Sequence, residues 1–129
     1  MTPSRIAALL AFIPVALTSL SCGYNGPSLD VATLKARLDA DPDALLVVDV
    51  RPSALFEKGH IQRATNIPLE KIDSAAGDLA ALHRPIAVIC TCGKRSLEAI
   101  GKLRARGLAP YLVVGGMLEW KRAGYATAR

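Results

Sequence analysis

Pro85-Ile86-Ala87-Val88-Ile89-Cys90-Thr91-Cys92-Gly93-Lys94-Arg95-Ser96 reads as three pieces in succession. Pro85 to Cys90 is an unbroken apolar run of strand length. Thr91 to Arg95 is a tight polar loop in which Gly93 permits close approach of the backbone. From Ser96 to Arg106, Leu97, Ile100 and Leu103 fall on one stripe, which predicts a helix, and Gly107 stands where a helix end takes a glycine. Cys90 therefore ends a strand at the rim of a sheet, facing backbone N–H groups and a helix N-terminus. Such a place holds a thiolate, or an anion delivered to one.

Outward from this stretch, Leu45 to Val50 is a second, β-branched run, as expected of a strand buried on both faces, and Pro110 to Val114 is a third. Asp30 caps a predicted helix with Val31, Leu34 and Leu38 on its apolar side, and the segment Asp39 to Asp43, with Pro42, ends it. Pro52 to Lys58 suits a short helical turn stopped by Gly59. Ile61 to Pro68 reads as extended and irregular, and Glu70 to Leu82 as a helix weakened by Gly77. Gly115-Gly116 turns the chain into a final short helix carrying Trp120. Strands that alternate with helices, and that are apolar throughout, predict an α/β fold: a mainly parallel central sheet with helices on both faces. Ligands in such sheets sit outside the carboxyl ends of the strands, where Cys90, Asp49 and Arg51 lie.

A chain of 129 residues suits one domain that needs no disulfide staples. Met1 to Ser21 has one charge, Arg5, followed by the uncharged apolar run Ile6 to Leu20, too short for a membrane span and patterned as a secretory signal. Thr18-Ser19-Leu20-Ser21-Cys22 resembles the lipobox of bacterial lipoproteins, with Ser19 where leucine is usual. That resemblance implies a lipidated Cys22 as mature N-terminus, and an exported chain anchored at a periplasmic or cell-surface membrane face. Ordinary cleavage and retention as an anchor are the alternatives. Residues 22–28 then form a tether and 29–129 the domain. Loss of Arg5 with the signal lowers the formal charge from +5 to +4, because every acidic residue follows Cys22. No aromatic residues interleave with the basic clusters Lys94 to Arg106 and Lys121-Arg122, so nucleic acid is not an expected partner. Cys90 and Cys92 are too close to staple a fold, and His60 and His83 form no metal-type spacing with them, so neither a metal nor another cofactor is implied.

Cys90-Thr91-Cys92-Gly93-Lys94-Arg95-Ser96 resembles the active loop of the rhodanese family, a cysteine followed by two residues, a glycine, one residue and Arg-Ser. Three further segments resemble the family in the same order: Leu46 to Arg51 with its Asp49-x-Arg51; Phe56 to Ile61, with Ala64, Asn66, Ile67 and Pro68; and Gly115-Gly116 followed by Trp120. The resemblance covers roughly Leu29 to Tyr125.

The resemblance implies a sulfurtransferase with Cys90 as nucleophile and Thr91 to Ser96 as the loop that holds substrate and persulfide. Its partners are a small anionic sulfur donor such as thiosulfate and a thiol or cyanide acceptor. Asp49 and Arg51 read as a supporting pair rather than acid and base, and His60 as structural. The loop is one residue shorter than that of cysteine phosphatases and arsenate reductases, whose arginine follows six residues after the cysteine. Here that place holds Ser96. Arg63 stands where the family usually has glycine. Cys92 is either a small side chain tolerated in the loop or a resolving thiol that attacks the Cys90 persulfide, releasing sulfide and leaving a strained disulfide. Two other functions stay open at this point: an exported thiol–disulfide or persulfide-handling protein using both cysteines, and a non-catalytic binding module.

Overall fold

Consecutive apolar residues in an extended strand point to opposite faces, so Val47-Val48 and Ala87-Val88-Ile89 need cover on both sides. The computed structural model, which describes residues 23–129, supplies that cover. Strands β1 (Ser28–Leu29), β2 (Leu46–Asp49), β3 (Thr65–Asn66), β4 (Ile86–Ile89) and β5 (Tyr111–Val113) pair in the order β1-β5-β4-β2-β3, all parallel. The helices are α1 (Val31–Ala40), α2 (Ser53–Lys58), α3 (Ile72–Ala81), α4 (Lys94–Ala105) and α5 (Gly116–Arg122). β4 lies at the centre, with Asp49 of β2 opposite Ile89 and Leu112 of β5 opposite Val88.

The period of two along each strand sorts the core into two halves. Val48, Val50, Ile86, Val88 and Cys90 pack against Ile72, Ala76 and Leu79 of α3 and Ala99, Ile100 and Leu103 of α4. Val47, Ala87, Ile89 and Val113 pack against Leu34 of α1 and Met117 and Trp120 of α5. Cys90 therefore sends its side chain to the α3/α4 face. The predicted α/β architecture, a parallel sheet between two helical layers, is the architecture found.

Several local expectations shift. α4 begins at Lys94 rather than Ser96, because Gly93 turns the chain at φ 118° and serves as its N-cap. Lys94 and Arg95 thus belong to the helix's first turn, not to the loop. α4 closes as expected, with Gly107 at φ 85° donating to Arg104 O and Leu108 N–H donating to Leu103 O, a Schellman closure. The helix expected from Glu70 starts with a 3-10 turn, Leu69–Lys71, and becomes α-helical at Ile72. Two strands of two residues each, β1 and β3, escape the sequence reading, since a pair of residues carries no periodicity and is made a strand only by its neighbour's backbone. Residues 24–28, read as a tether, reach into the fold. Ser28 pairs with Leu112, and Tyr24 packs on the α3/α4 core while its hydroxyl donates to Pro27 O at 2.9 Å. Burial raises the Tyr24 phenol above its ordinary pKa, against the opposing charge of Arg104. The expected signal, residues 1–21, and Cys22 lie outside the described residues.

Arg63 has φ 71°, in the left-handed region that glycine enters freely and other residues enter at a cost of about 1 kcal/mol. The departure from the family's glycine is thus a strained one.

Asp30 caps α1 as predicted, its side chain accepting from Thr33 N–H at 2.7 Å. That bond holds the Asp30 carboxyl below its ordinary pKa. Asp30→Ala is expected to cost about 1 kcal/mol near neutral pH in urea unfolding. A carboxyl whose folded pKa is depressed contributes stability above its unfolded pKa and loses it as pH falls through the folded one. The gap between wild type and Asp30→Ala therefore narrows in acid. A gap that widened in acid would contradict the cap.

Candidate active site

Cys90 follows the last residue of β4, and the chain must leave the sheet there and re-enter a helix within four residues. Three contacts shape the turn. Met117 N–H donates to Cys90 O at 2.8 Å, Leu118 N–H donates to Thr91 O at 3.1 Å, and Gly93 N–H donates to Cys90 Sγ at 3.0 Å. The first two come from the opening turn of α5, on the sheet face opposite the Cys90 side chain.

These bonds set the direction of the loop's donors. All described peptides are trans, so each N–H points opposite to the carbonyl of its own peptide unit. With the Cys90 and Thr91 carbonyls drawn toward α5, the N–H groups of Thr91 and Cys92 turn away from it. Neither has a hydrogen-bond acceptor among the described residues. The first N–H groups of α4, on Lys94, Arg95 and Ser96, have no acceptor within the helix. Cys90 Sγ, bonded by Gly93 N–H, thus lies on the side to which these amides turn, near the positive end of a twelve-residue helix.

The approach of α5 requires glycine. A Cβ on Gly116 would lie 2.4 Å from Cys90 O and 2.6 Å from Thr91 O, and its φ is 57°. The sequence marks Gly115-Gly116 as a turn and gives it no part in the site. The doublet was the only signal available, since the contact joins residues far apart in the chain.

Burial divides the loop. Cys90 is 2% exposed and Ser96 is fully buried, whereas Cys92, Lys94 and Arg95 are exposed and Thr91 and Gly93 intermediate. Ser96 begins the core-facing stripe of α4 that continues through Ala99, Ile100 and Leu103. Its hydroxyl is the only buried side-chain oxygen or nitrogen without a hydrogen-bond partner among the described residues. A buried hydroxyl left unsatisfied costs roughly 1–3 kcal/mol, and such a cost calls for a reason. Lys94 and Arg95 form no ion pair among the described residues, so their charge is available to an anion.

Asp49 and Arg51 lie beside this loop, at the end of the neighbouring strand, and are buried. Arg51 Nε and Nη2 both donate to the Asp49 carboxylate, with Nη2–Oδ2 at 2.8 Å, and Nη2 also donates to Gly59 O at 2.8 Å. Asn66 Nδ2 donates to Asp49 O and Arg51 O at 3.0 and 2.9 Å. The guanidinium is occupied in holding the chain, which makes the pair a support, as expected. Asn66, to which the sequence assigns no role, acts as the second clamp on the same turn. His60 is also a structural residue: its ring stacks on Phe56 at 3.7 Å, its Nδ1 is bonded to Phe56 O, and its backbone bridges to Ala128.

The arrangement can hold one small anionic group on or beside the sulfur of Cys90. The described concavities, the largest about 520 Å³ between α1, α5 and residues 61–63, are lined by other residues.

The Rhodanese-like domain family matches residues 30–123. A protein named sulfurtransferase from Allochromatium vinosum is 31% identical over 97 residues, covering 74% of this chain and 89% of the relative. The thiosulfate sulfurtransferase GlpE of Shewanella oneidensis is 33% identical over 78 residues, covering 60% of this chain and 76% of the relative. The chain spans about half the length of two further relatives, from Bacillus subtilis and Synechocystis, at 50% and 49% of each. Among solved structures, a rhodanese-related protein from Thermoplasma volcanium superposes with a TM-score of 0.69 at 29% identity, covering 79% of this chain and 97% of that one.

The close approach at Gly116 yields a direct test. Gly116→Ala must move α5 off the loop and strain a left-handed residue, and is expected to cost about 2 kcal/mol or more in denaturant unfolding. Gly101→Ala, in α4 with nothing within 4 Å of the added carbon, is expected to be neutral or stabilising by up to about 1 kcal/mol. Equal stabilities for the two variants would show that the approach is not required.

Proposed function

The chain belongs to the rhodanese-like domain family, and on that premise we propose that it is a sulfurtransferase in which Cys90 carries the sulfur as a persulfide. The observation that carries the reading is a sulfur at a strand end, bonded by Gly93 N–H at 3.0 Å, on the side to which the Thr91 and Cys92 N–H groups turn without an acceptor.

In the first half-reaction the Cys90 thiolate attacks the outer sulfur of a donor such as thiosulfate. A bond forms between Cys90 Sγ and that sulfur. The donor's sulfur–sulfur bond breaks, and its electron pair leaves with sulfite. The negative charge then rests on the terminal sulfur of the persulfide, one bond farther out. The N–H groups of Thr91, Cys92 and the first turn of α4 are in place to receive it without reorganisation. The unpartnered Ser96 hydroxyl is available as a further donor. In the second half-reaction a thiolate or cyanide attacks the terminal sulfur and Cys90 leaves as thiolate. Two half-reactions through one covalent intermediate give ping-pong kinetics.

Lys94 and Arg95 draw an anionic donor to the mouth of the loop. Being exposed, they act chiefly on encounter and weaken with salt. The short loop favours a sulfur atom over a tetrahedral phosphate, since α4 starts four residues after Cys90.

Incubation with thiosulfate followed by intact-mass measurement is expected to add one sulfur atom to wild type and none to Cys90→Ser. Addition of cyanide should remove it with release of thiocyanate. A wild type that gains no sulfur sinks the proposal.

The proposed location is outside the cytoplasm, held to a membrane by a lipid on Cys22. Arg5, the apolar run Ile6 to Leu20 and Ser19-Leu20-Ser21-Cys22 support it. Bacterial cells expressing the full chain and fed a clickable fatty acid are expected to label it, and Cys22→Ser to abolish the label. Equal labelling of both would overturn the anchor.

A further inference from the structure

The loop holds two thiols of opposite accessibility. Cys90 is 2% exposed and packs with the α3/α4 core, whereas Cys92 is exposed. One residue separates them, so their Cα atoms lie within roughly 7 Å whatever the loop conformation. A small acceptor such as cyanide can reach a sulfur on a buried residue with little displacement of its surroundings. A thiol carried on a peptide or protein must bring its Sγ in line with a bond that points out of the sheet. A sulfur on a residue only 2% exposed leaves such a body little room.

We propose that Cys92 is a relay thiol that takes the sulfur from the buried Cys90 persulfide and presents it to bulky thiol acceptors. This rests on the persulfide reading above. The Cys92 thiolate attacks the terminal sulfur of the Cys90 persulfide. A bond forms between Cys92 Sγ and that sulfur, the bond from it to Cys90 Sγ breaks, and the electron pair returns to Cys90 as thiolate. Charge and oxidation level are unchanged, and no oxidant or reductant is consumed. The acceptor thiolate then attacks the terminal sulfur on Cys92 and leaves that residue as thiolate.

Relay and disulfide closure ask for different separations of the two sulfurs. A disulfide needs the two Sγ atoms about 2.05 Å apart with a fixed torsion. In-line transfer of a sulfur between them is served by a separation of about twice that, roughly 4 Å. The peptides on both sides of Thr91 are held by α5, so the loop resists the closer approach. The sulfur is more stable on Cys90, where the N–H groups converge, and more accessible on Cys92. The Cys92 persulfide is thus the minor, reactive form.

The test loads the protein with thiosulfate, alkylates with iodoacetamide and fragments the peptide between the two cysteines to locate the added sulfur. Wild type is expected to carry it on both residues, Cys92→Ser on Cys90 only, and Cys90→Ser on neither. With reduced glutathione and cyanide as acceptors, Cys92→Ser is expected to lower the ratio of glutathione to cyanide turnover by about tenfold or more. Sulfur on Cys92 in Cys90→Ser, an unchanged acceptor ratio, or a Cys90–Cys92 disulfide with free sulfide in loaded wild type would each overturn the relay. Failure of wild type to load at all would instead remove the persulfide reading on which it rests.

Discussion

Two backbone hydrogen bonds, from Met117 and Leu118 N–H to the carbonyls of Cys90 and Thr91, decide what the end of β4 can do. A strand that simply ended there would present carbonyls and amides in alternation, with no preference for either charge. Drawing two successive carbonyls to one side exposes two successive amides on the other. The chain thereby builds an electropositive concavity from neutral groups, in a place where Cys90 already projects. The cost falls on α5, which must come close enough to touch the loop's backbone. That is why Gly116, with φ 57° and no room for a Cβ, opens the helix.

A second constraint holds the rim from the other side. The Asp49–Arg51 pair is fully desolvated, and a buried ion pair of this kind adds little net stability, because desolvation consumes most of the Coulomb gain. What it supplies here is position. Its spare donor reaches Gly59, Asn66 fastens the carbonyls on either side, and Asp49 sits opposite Ile89 in the sheet. The turn after β2, the segment after α2 and the strand that ends at Cys90 are tied into one piece. For the nucleophile proposed above, such fixed surroundings matter more than added stability.

The architecture was legible because its signals are redundant along the chain. Leu45 to Val50 and Pro85 to Cys90 are long enough to show that both faces are buried, and Asp30, Gly59 and Gly107 mark helix ends where the structure has them. β1 and β3 were not legible, being strands only because Leu112 and Val48 lie beside them. At the site, the sequence shows the cysteine, the charges and the glycine, all within seven residues. It does not show the amide directions, which come from α5, more than twenty residues on. Nor does it show that Ser96 is buried without a partner, or that the helix takes Lys94 and Arg95 into its first turn.

That last shift separates two sources of positive charge that look alike in sequence. Lys94 and Arg95 carry full charges, but they are exposed, and at physiological ionic strength their influence fades over about 8 Å. The amides carry partial charges only. One of them, Gly93 N–H, meets the sulfur at 3.0 Å, and Cys90 is almost wholly withdrawn from water. A low local dielectric strengthens the short contacts, and solvent screening weakens the exposed ones. On the proposed function, the side chains gather an anion at the mouth, and the backbone stabilises charge on the sulfur. On this division, replacing the two cations alters how fast a donor arrives, whereas disturbing the peptide planes alters the chemistry. The loop's chemistry then resides in its backbone, which explains how an exposed side chain such as Cys92 can occupy it and remain free for a different role.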